Sequence, residues 1–285
     1  MKRNLKSVPK GKLQVQELNR LIKSYDVIGN IAIIRVPGSL TSQSSIAAKA
    51  IMRTHKHVKT VLKQVSAVSG DFRLRRLEWI LGEKKTEVLC REFGCIFKVD
   101  LAQCYFSPRL SFERMRIARL IQPKETIINM FAGVGPFSIL IAKYSGAETV
   151  YSIDVNSSAV EFMKENIRLN RVQGQVVPIL GDAKQVIVEH LQNTVDRVIM
   201  PLPKKAYQYL DYAIMALKPT GGWIHCYDFE HASKGESAVE KVKARVSEKL
   251  REMEVEYSLP FVRVVRHTGP GWYQVVLDIQ IRRRR

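Results

Sequence analysis

Cysteine is scarce in this chain, and the four present fall at no ligand spacing. Cys90, Cys95, Cys104 and Cys226 form no CxxC knuckle, and no histidine pair accompanies them, so the sequence gives no sign of a zinc site. We read them as reduced, mostly buried small residues, with a structural metal site as the lesser alternative. His225 and Cys226 sit in the apolar stretch Gly222 to Tyr227, which favours a core strand over a metal ligand. Also missing is any run of about 18 apolar residues, the length a membrane-spanning helix needs. The first residues, Met1 to Gly11, are basic but lack the apolar centre of a secretory signal, so a cytoplasmic protein is expected. Internal repeats and low-complexity segments are absent too. Acidic residues are in deficit: 27 Asp and Glu stand against 46 Lys and Arg, a formal net charge of +19. Such a field attracts polyanions before any specific contact forms, which makes nucleic acid the leading partner; an anionic membrane would be attracted by the same field, but no apolar run is long enough to span one.

What is present is enough for a packed core. The 285 residues are 46% hydrophobic, sufficient for one large α/β domain and a smaller companion. From Thr126 onward, strand-length apolar runs alternate with segments of helical period, the pattern of a parallel sheet with crossover helices. The strands expected are Thr126 to Met130, Thr149 to Ile153, Val176 to Leu180, Asp196 to Met200 and Gly222 to Tyr227. Between them, Phe137 to Tyr144, Ser157 to Leu169, Ala183 to Leu191 and Ala206 to Leu217 read as helices. A charged helix, Ser237 to Met253, precedes two extended segments, Val255 to Val265 and Tyr273 to Ile281, punctuated by Gly269-Pro270-Gly271. That ending suggests one antiparallel strand inserted late. Residues 1–100 read as a small α+β substrate- or RNA-binding domain, and 101–285 as the larger one. The smaller domain is given helices at Leu13 to Tyr25 and Gln43 to Met52, and strands at Ile31 to Val36, Val58 to Gln64, Glu87 to Cys90 and Cys95 to Val99. The closing Arg282 to Arg285 run is either a nucleic-acid contact or a solvated terminus.

Chemistry enters at Asn129-Met130-Phe131-Ala132-Gly133-Val134-Gly135-Pro136-Phe137, which joins the first parallel strand to a helix. Its glycines let the backbone approach a ligand, although a tight βα turn alone would use the same residues. Asp154, about 20 residues on at the next strand end, is placed to accept hydrogen bonds from ribose hydroxyls. The third glycine of GxGxxG is missing, with Phe137 and Ser138 where a pyrophosphate-binding helix would open, which argues against a dinucleotide. Gly181-Asp182-Ala183 ends the third strand, where Asp182 either meets an adenine amino group or caps the following helix. A Gly loop with two acidic strand ends suits S-adenosylmethionine.

The segment Tyr105-Phe106-Ser107-Pro108-Arg109-Leu110-Ser111-Phe112-Glu113-Arg114-Met115-Arg116, followed by the Asn129 to Phe137 loop, resembles the archaeal and eukaryotic tRNA guanine-37 N1-methyltransferases. The similarity runs from about Ser24 to Ile281 and takes in Asp71-Phe72-Arg73, Asp196 to Met200 and Val275 to Ile279. The resemblance implies a class I, Rossmann-like S-adenosylmethionine-dependent methyltransferase domain, mainly parallel with a late antiparallel strand. It implies Tyr105, Arg109, Phe131, Asp154, Val155, Asp182, Ala183 and Pro203 around the cofactor, no metal, and Glu113 and Arg73 as catalytic residues. The partner implied is tRNA, at its anticodon stem-loop, and the protein is expected to act as a monomer. The roles are chemically sensible. N1 of guanine must lose a proton to become nucleophilic, which Glu113 would accept, and charge then builds on O6, where Arg73 would donate. Each has a rival: Glu113 follows Arg109 by four residues, the spacing of an intrahelical ion pair, and Arg73 lies near Arg75 and Arg76, as a phosphate contact would.

Two departures from the family pattern stand out. Relatives carry an Asn-Leu-Pro type motif after the fourth strand, where this chain reads Pro201-Leu202-Pro203, and proline offers no side-chain amide. Many relatives also carry a further N-terminal domain, so a reduced tRNA footprint is expected. Lys204 and Lys205 are candidate phosphate contacts or merely solvated. The same superfamily contains an aminocarboxypropyl transferase of wybutosine synthesis, and a non-catalytic RNA-binding relative is a third alternative. Ser107-Pro108-Arg109 favours methyl transfer, since Arg109 can grip the cofactor's methionine carboxylate.

Overall fold

The computed structural model describes residues 25–36 and 43–282. The helix expected over Leu13 to Tyr25 lies, but for its last residue, outside them, as do the basic N-terminus and Arg283 to Arg285. Packing divides the chain into two compact units, Met1–Phe112 and Glu113–Arg285.

In the first unit, β1 (Tyr25–Ile28), β2 (Ile31–Ile34), β3 (Thr60–Gln64) and β4 (Leu77–Gly82) form one mixed sheet in that order. Helix α1 (Ser44–Thr54) buries Ala47, Ala48 and Ile51 into the same core as Ile34 and Val61. The small side chains on that face let helix and sheet approach closely. A separate hairpin, β5 (Glu87–Glu92) and β6 (Cys95–Asp100), turns at Phe93 and Gly94, both at positive φ. Two of these strands were not read from the sequence. β1 is only four residues long and opens with the Tyr25 assigned to a helix, and β4 has no buried residue, its exposure following no clean alternation.

The second unit opens with α2 (Ser111–Leu120), whose first two residues belong to the first. It then carries a seven-stranded sheet in the order β12-β13-β11-β10-β7-β8-β9. Five strands run parallel: β7 (Thr126–Asn129), β8 (Thr149–Asp154), β9 (Val176–Leu180), β10 (Arg197–Met200) and β11 (Gly222–His231). β13 (Trp272–Ile281) lies antiparallel between β11 and the edge strand β12 (Tyr257–Gly269). The inserted antiparallel strand is therefore present, and Pro270-Gly271 makes the turn that feeds it, with Gly271 at φ +67°.

Crossover helices are α3 (Pro136–Tyr144), α4 (Ser157–Asn170) and α5 (Ala183–His190). Asn156 caps α4 through the N–H groups of Ser158 and Ala159. The helix expected over Ala206 to Leu217 is divided into α6 (Pro203–Ala206), a 3-10 turn (Tyr207–Tyr209) and α7 (Leu210–Ala216). Helix α8 (Ala238–Glu252) starts at a Ser237 cap and buries Ala238, Val242, Val246 and Leu250, one residue per turn facing the sheet. All four cysteines are free and buried, and His225 is fully buried in β11. No helix among the described residues is long and apolar enough to cross a membrane.

Candidate active site

In the second unit, the carboxyl ends of β7, β8, β9 and β10 meet where strand order reverses, between β10 and β7, the place where open α/β sheets bind ligands. After β7 the chain turns through Gly133 and Gly135, at φ +55° and +85°. The two glycines are needed for different reasons. A Cβ on Gly135 would come within 2.9 Å of Met163 Cγ, so this one lets α3 and α4 pack. Gly133 donates its N–H to Asp154 Oδ2 at 2.6 Å, which ties the loop to the end of β8. Beneath the loop, the fully buried Asn129 donates to Ser138 Oγ (3.1 Å), which also accepts from Ser152 Oγ (2.7 Å).

The loop favours S-adenosylmethionine over a pyrophosphate. Helix α3 begins at Pro136, which has no N–H to offer an anion. Asp154 Oδ1 accepts from Asn156 N (2.9 Å) and Oδ2 from Gly133 N, with the Val155 N–H a further backbone donor, which leaves the carboxylate acceptor capacity for a ribose hydroxyl. Burial raises the Asp154 pKa above its usual range, and the backbone N–H donors only partly offset this. Val155, beside it, is exposed. Of the two roles considered for Asp182, the structure shows the cap: Oδ1 accepts from Lys184 N (2.8 Å) at the start of α5, while Oδ2 accepts from Tyr209 Oη (2.7 Å). The Tyr209 ring meets Phe131 edge to face at 5.2 Å. Phe131, Tyr209 and Asp182 thus form one connected group. Ala183 is buried in the first turn of α5, and buried Pro203 opens α6 beside exposed Lys204.

Glu113, in the first turn of α2, is 2% exposed. Arg116 donates to both its oxygens (Nε to each at 3.1 Å, Nη2 to Oε1 at 2.8 Å), Tyr227 Oη donates to Oε1 (2.8 Å), and Arg263 Nη2 donates to Oε2. Arg116 also forks onto Asp278 (Nη1 to Oδ2, 2.6 Å; Nη2 to Oδ1, 3.1 Å). Asp278 Oδ1 accepts from His225 Nδ1 (2.6 Å), and His225 Nε2 faces Arg197 Nη1 (2.9 Å). Arg197 is bidentate on Glu125. Since arginine can only donate, His225 carries its proton on Nδ1. Burial lowers the histidine pKa, which keeps it neutral, while His225 and Arg116 hold Asp278 down to about 2 against the opposing cost of its burial. Burial, then Glu113, raises Tyr227 well above 10, so it is a neutral donor.

The intrahelical Arg109–Glu113 pair considered from spacing does not describe these residues. Arg109 lies in a 3-10 turn (Pro108–Leu110) ahead of α2 and pairs with Asp26 (Nη2 to Oδ1, 2.6 Å), while Glu113 binds Arg116, one position closer along the helix than the four-residue spacing. Within the first unit, Arg73 sits in a turn at φ +53°, its N–H on Gly70 O, and its guanidinium lies 4.6 Å from the centre of the Tyr105 ring. A non-glycine residue in the left-handed region is uncommon and marks local strain. Asp26, Tyr209, Tyr227 and Arg263 were not singled out from sequence, nor was any role given to Arg116 or Asp278. Only Arg116, inside the quoted motif and three residues from Glu113, carried a local signal.

Comparison with known proteins points to one family. Residues 88–256 match the TRM5/TYW2 methyltransferase domain and residues 5–86 the TYW2 N-terminal domain. The chain is 41% identical over 267 residues to the tRNA (guanine(37)-N(1))-methyltransferase Trm5b of Pyrococcus abyssi, covering 93% of this chain and 77% of that protein. It is 36% identical to the tRNA 4-demethylwyosine(37)-methyltransferase Taw21 of Saccharolobus solfataricus, covering 94% and 97%. The crystal structure of P. abyssi Trm5b superposes with a TM-score of 0.84 at 39% identity over 99% of this chain and 82% of that one. A complex of aTrm5 with tRNALeu gives 0.82 at 32% identity, covering 99% and 79%. M. jannaschii TYW2 in complex with AdoMet gives 0.68 at 28%, covering 92% and 100%. The Gly loop, the acidic strand ends and the buried glutamate therefore sit in a chain that belongs to the TRM5/TYW2 family of S-adenosylmethionine-dependent methyltransferases.

Proposed function

We propose that this protein methylates N1 of the guanine at position 37 of tRNA, with Glu113 as general base. The observation that supports it most is the buried Glu113 carboxylate held by Arg116 and Tyr227. Those two contacts fix its orientation before substrate arrives, as a base in a chemical step requires. Bound at the loop, S-adenosylmethionine supplies a sulfonium-activated methyl group. Asp154 would accept its ribose hydroxyls, Phe131, Val155, Asp182 and Ala183 would border its adenine, and Tyr105, Arg109 and Pro203 would contact its methionine end. Glu113 takes the N1 proton, and the electron pair left on N1 forms the bond to the methyl carbon as that carbon's bond to sulfur breaks, its pair staying on sulfur. Arg73 donates to O6 as negative charge develops there. The net positive charge draws in the tRNA, and an exposed loop base enters the site. The anticodon stem-loop, a monomeric state and a cytoplasmic setting belong to the same reading.

A second reading, methylation of 4-demethylwyosine at position 37, is favoured by one observation. The match spans 97% of the S. solfataricus protein, and the N-terminal match is to the TYW2 type. Incubation with labelled cofactor and either unmodified or 4-demethylwyosine-containing tRNA, followed by nuclease digestion and mass spectrometry, separates the two. The first reading expects 1-methylguanosine from unmodified tRNA. A methylated tricyclic base alone would select the second, and an aminocarboxypropyl adduct would reject both.

A further inference from the structure

Of the groups that bind Glu113, Arg263 is held least. Arg116 is fixed at both ends, by Glu113 and by Asp278, and Tyr227 is buried at the core. Arg263 comes from the edge strand β12 and meets Oε2 through Nη2 alone. Its Nε is buried without a hydrogen-bond partner among the described residues, yet its side chain is 41% exposed, against 2% for Glu113. Its place on β12 adjoins a register irregularity between Val264 and Arg266, where the ladder to β13 is interrupted. This cation can leave Oε2 without uncovering the rest of the cluster, because Arg116 from α2 and Tyr227 from β11 still hold the carboxylate.

Departure has an electrostatic consequence. Glu113 and Asp278 are balanced by Arg116 and Arg263, with His225 neutral and Arg197 already paired to Glu125. Without Arg263 contact, the buried pair of carboxylates shares one guanidinium. The excess negative charge is stabilised by an incoming proton donor. Guanine presents such a donor, N1–H, directly beside an acceptor, O6, on one edge. A carboxylate next to a guanidinium is the complementary pair.

We propose that Arg263 is a catalytic residue: guanine N1–H takes its place on Glu113 Oε2, and the displaced guanidinium donates to O6. The proton passes from N1 to Oε2, the N1 electron pair goes to the new N–C bond while the methyl–sulfur bond breaks and leaves its pair on a neutral thioether sulfur, and the charge on O6 is met by Arg263. O6 has two lone pairs, so Arg73 can serve the same oxygen. The assignment rests on Glu113 being the base.

The test is single-turnover transfer by the full chain at saturating unmodified tRNA and cofactor, comparing wild type, Arg263→Ala, Arg263→Gln and Glu113→Gln, each shown to be folded. Both Arg263 variants should slow transfer by about 10², the usual effect of losing an oxyanion donor, with tRNA affinity little changed. Added guanidinium ion should restore part of the Arg263→Ala rate but none of the Glu113→Gln rate. Transfer at the wild-type rate, or a deficit that guanidinium leaves untouched, overturns the assignment while a slow Glu113→Gln variant keeps the base in place. If Glu113→Gln itself transfers normally, the base reading falls, and this inference falls with it. The Gln variant covers the case in which Arg263→Ala does not fold.

Discussion

On the β7–β8–β9 side of the second unit, Asp154 is satisfied by the main-chain N–H groups of Gly133 and Asn156. On the β10–β11–β13 side, Glu113 and Asp278 are satisfied by arginines, a histidine and a tyrosine. On the function proposed above, the difference separates binding from proton chemistry. Main-chain donors bring no formal charge, so Asp154 keeps its full negative charge and its spare lone pairs for a ligand. Ion partners on the other side neutralise each carboxylate and fix its direction, leaving its chemistry to depend on which partner departs. One side is built by chain direction and glycine, the other by side chains brought together from distant parts of the sequence.

That contrast can be broken by experiment. The largest effect expected is on stability: Asp278→Ala removes one of the two carboxylates that hold Arg116 and the partner of His225, and breaking a buried ion pair from one side costs about 3 to 5 kcal/mol. Denaturant unfolding would measure it, and a loss below about 1 kcal/mol would mean that the cluster is not an energetic unit. Next, Glu113→Gln should lower single-turnover transfer by roughly 10² or more, with partial rescue at high pH as guanine deprotonates by itself. Near-normal transfer in a folded variant would remove the division between binding and proton chemistry.

On the binding side, Asp154→Ala should weaken cofactor affinity by about 1 to 3 kcal/mol, because ribose acceptors and the tie to Gly133 are lost together. Calorimetry on the folded variant checks it, and unchanged affinity would reject the ribose role. The smallest effect is pH dependence. His225 is held below its ordinary 6.5 by burial, so on acidification the unfolded chain takes its proton first. Stability is then full above about pH 6.5 and declines as pH falls toward the folded value, by at most about 1.4 kcal/mol per pH unit for one proton. Asp278, depressed to about 2, adds loss only between about pH 4 and 2. His225→Asn should flatten the first decline, and a melting temperature already constant for wild type between about pH 8 and 5 would contradict a neutral buried histidine.

Legibility in the sequence followed the same division. The parallel core was readable because β7, β8, β10 and the crossover helices alternate in period, and the Gly loop with Asp154 announces itself through local spacing. Asp182 was readable as a position, although its bond to Tyr209 was not. Glu113 was visible only through family resemblance, since its spacing from Arg109 read locally as an intrahelical ion pair. Glu113 is buried and Arg116 partly so because their partners come from β11, β12 and β13, a convergence that no local window contains. β1 and β4 escaped for a plainer reason: a four-residue strand and a strand without a buried face leave no period to detect.

The position of β13 has a consequence for how the molecule assembles. Its ladder to β11 closes over the whole of α8 and β12, and the Arg116–Asp278 pair spans 162 residues. Contacts of that separation form late, after the loop between them has been closed against its entropy. The Gly133–Asp154 tie spans only 21 residues and needs none of them. A chain caught partway through folding would thus present a formed cofactor loop beside an α2 whose Glu113 and Arg116 still lack their counter-charges.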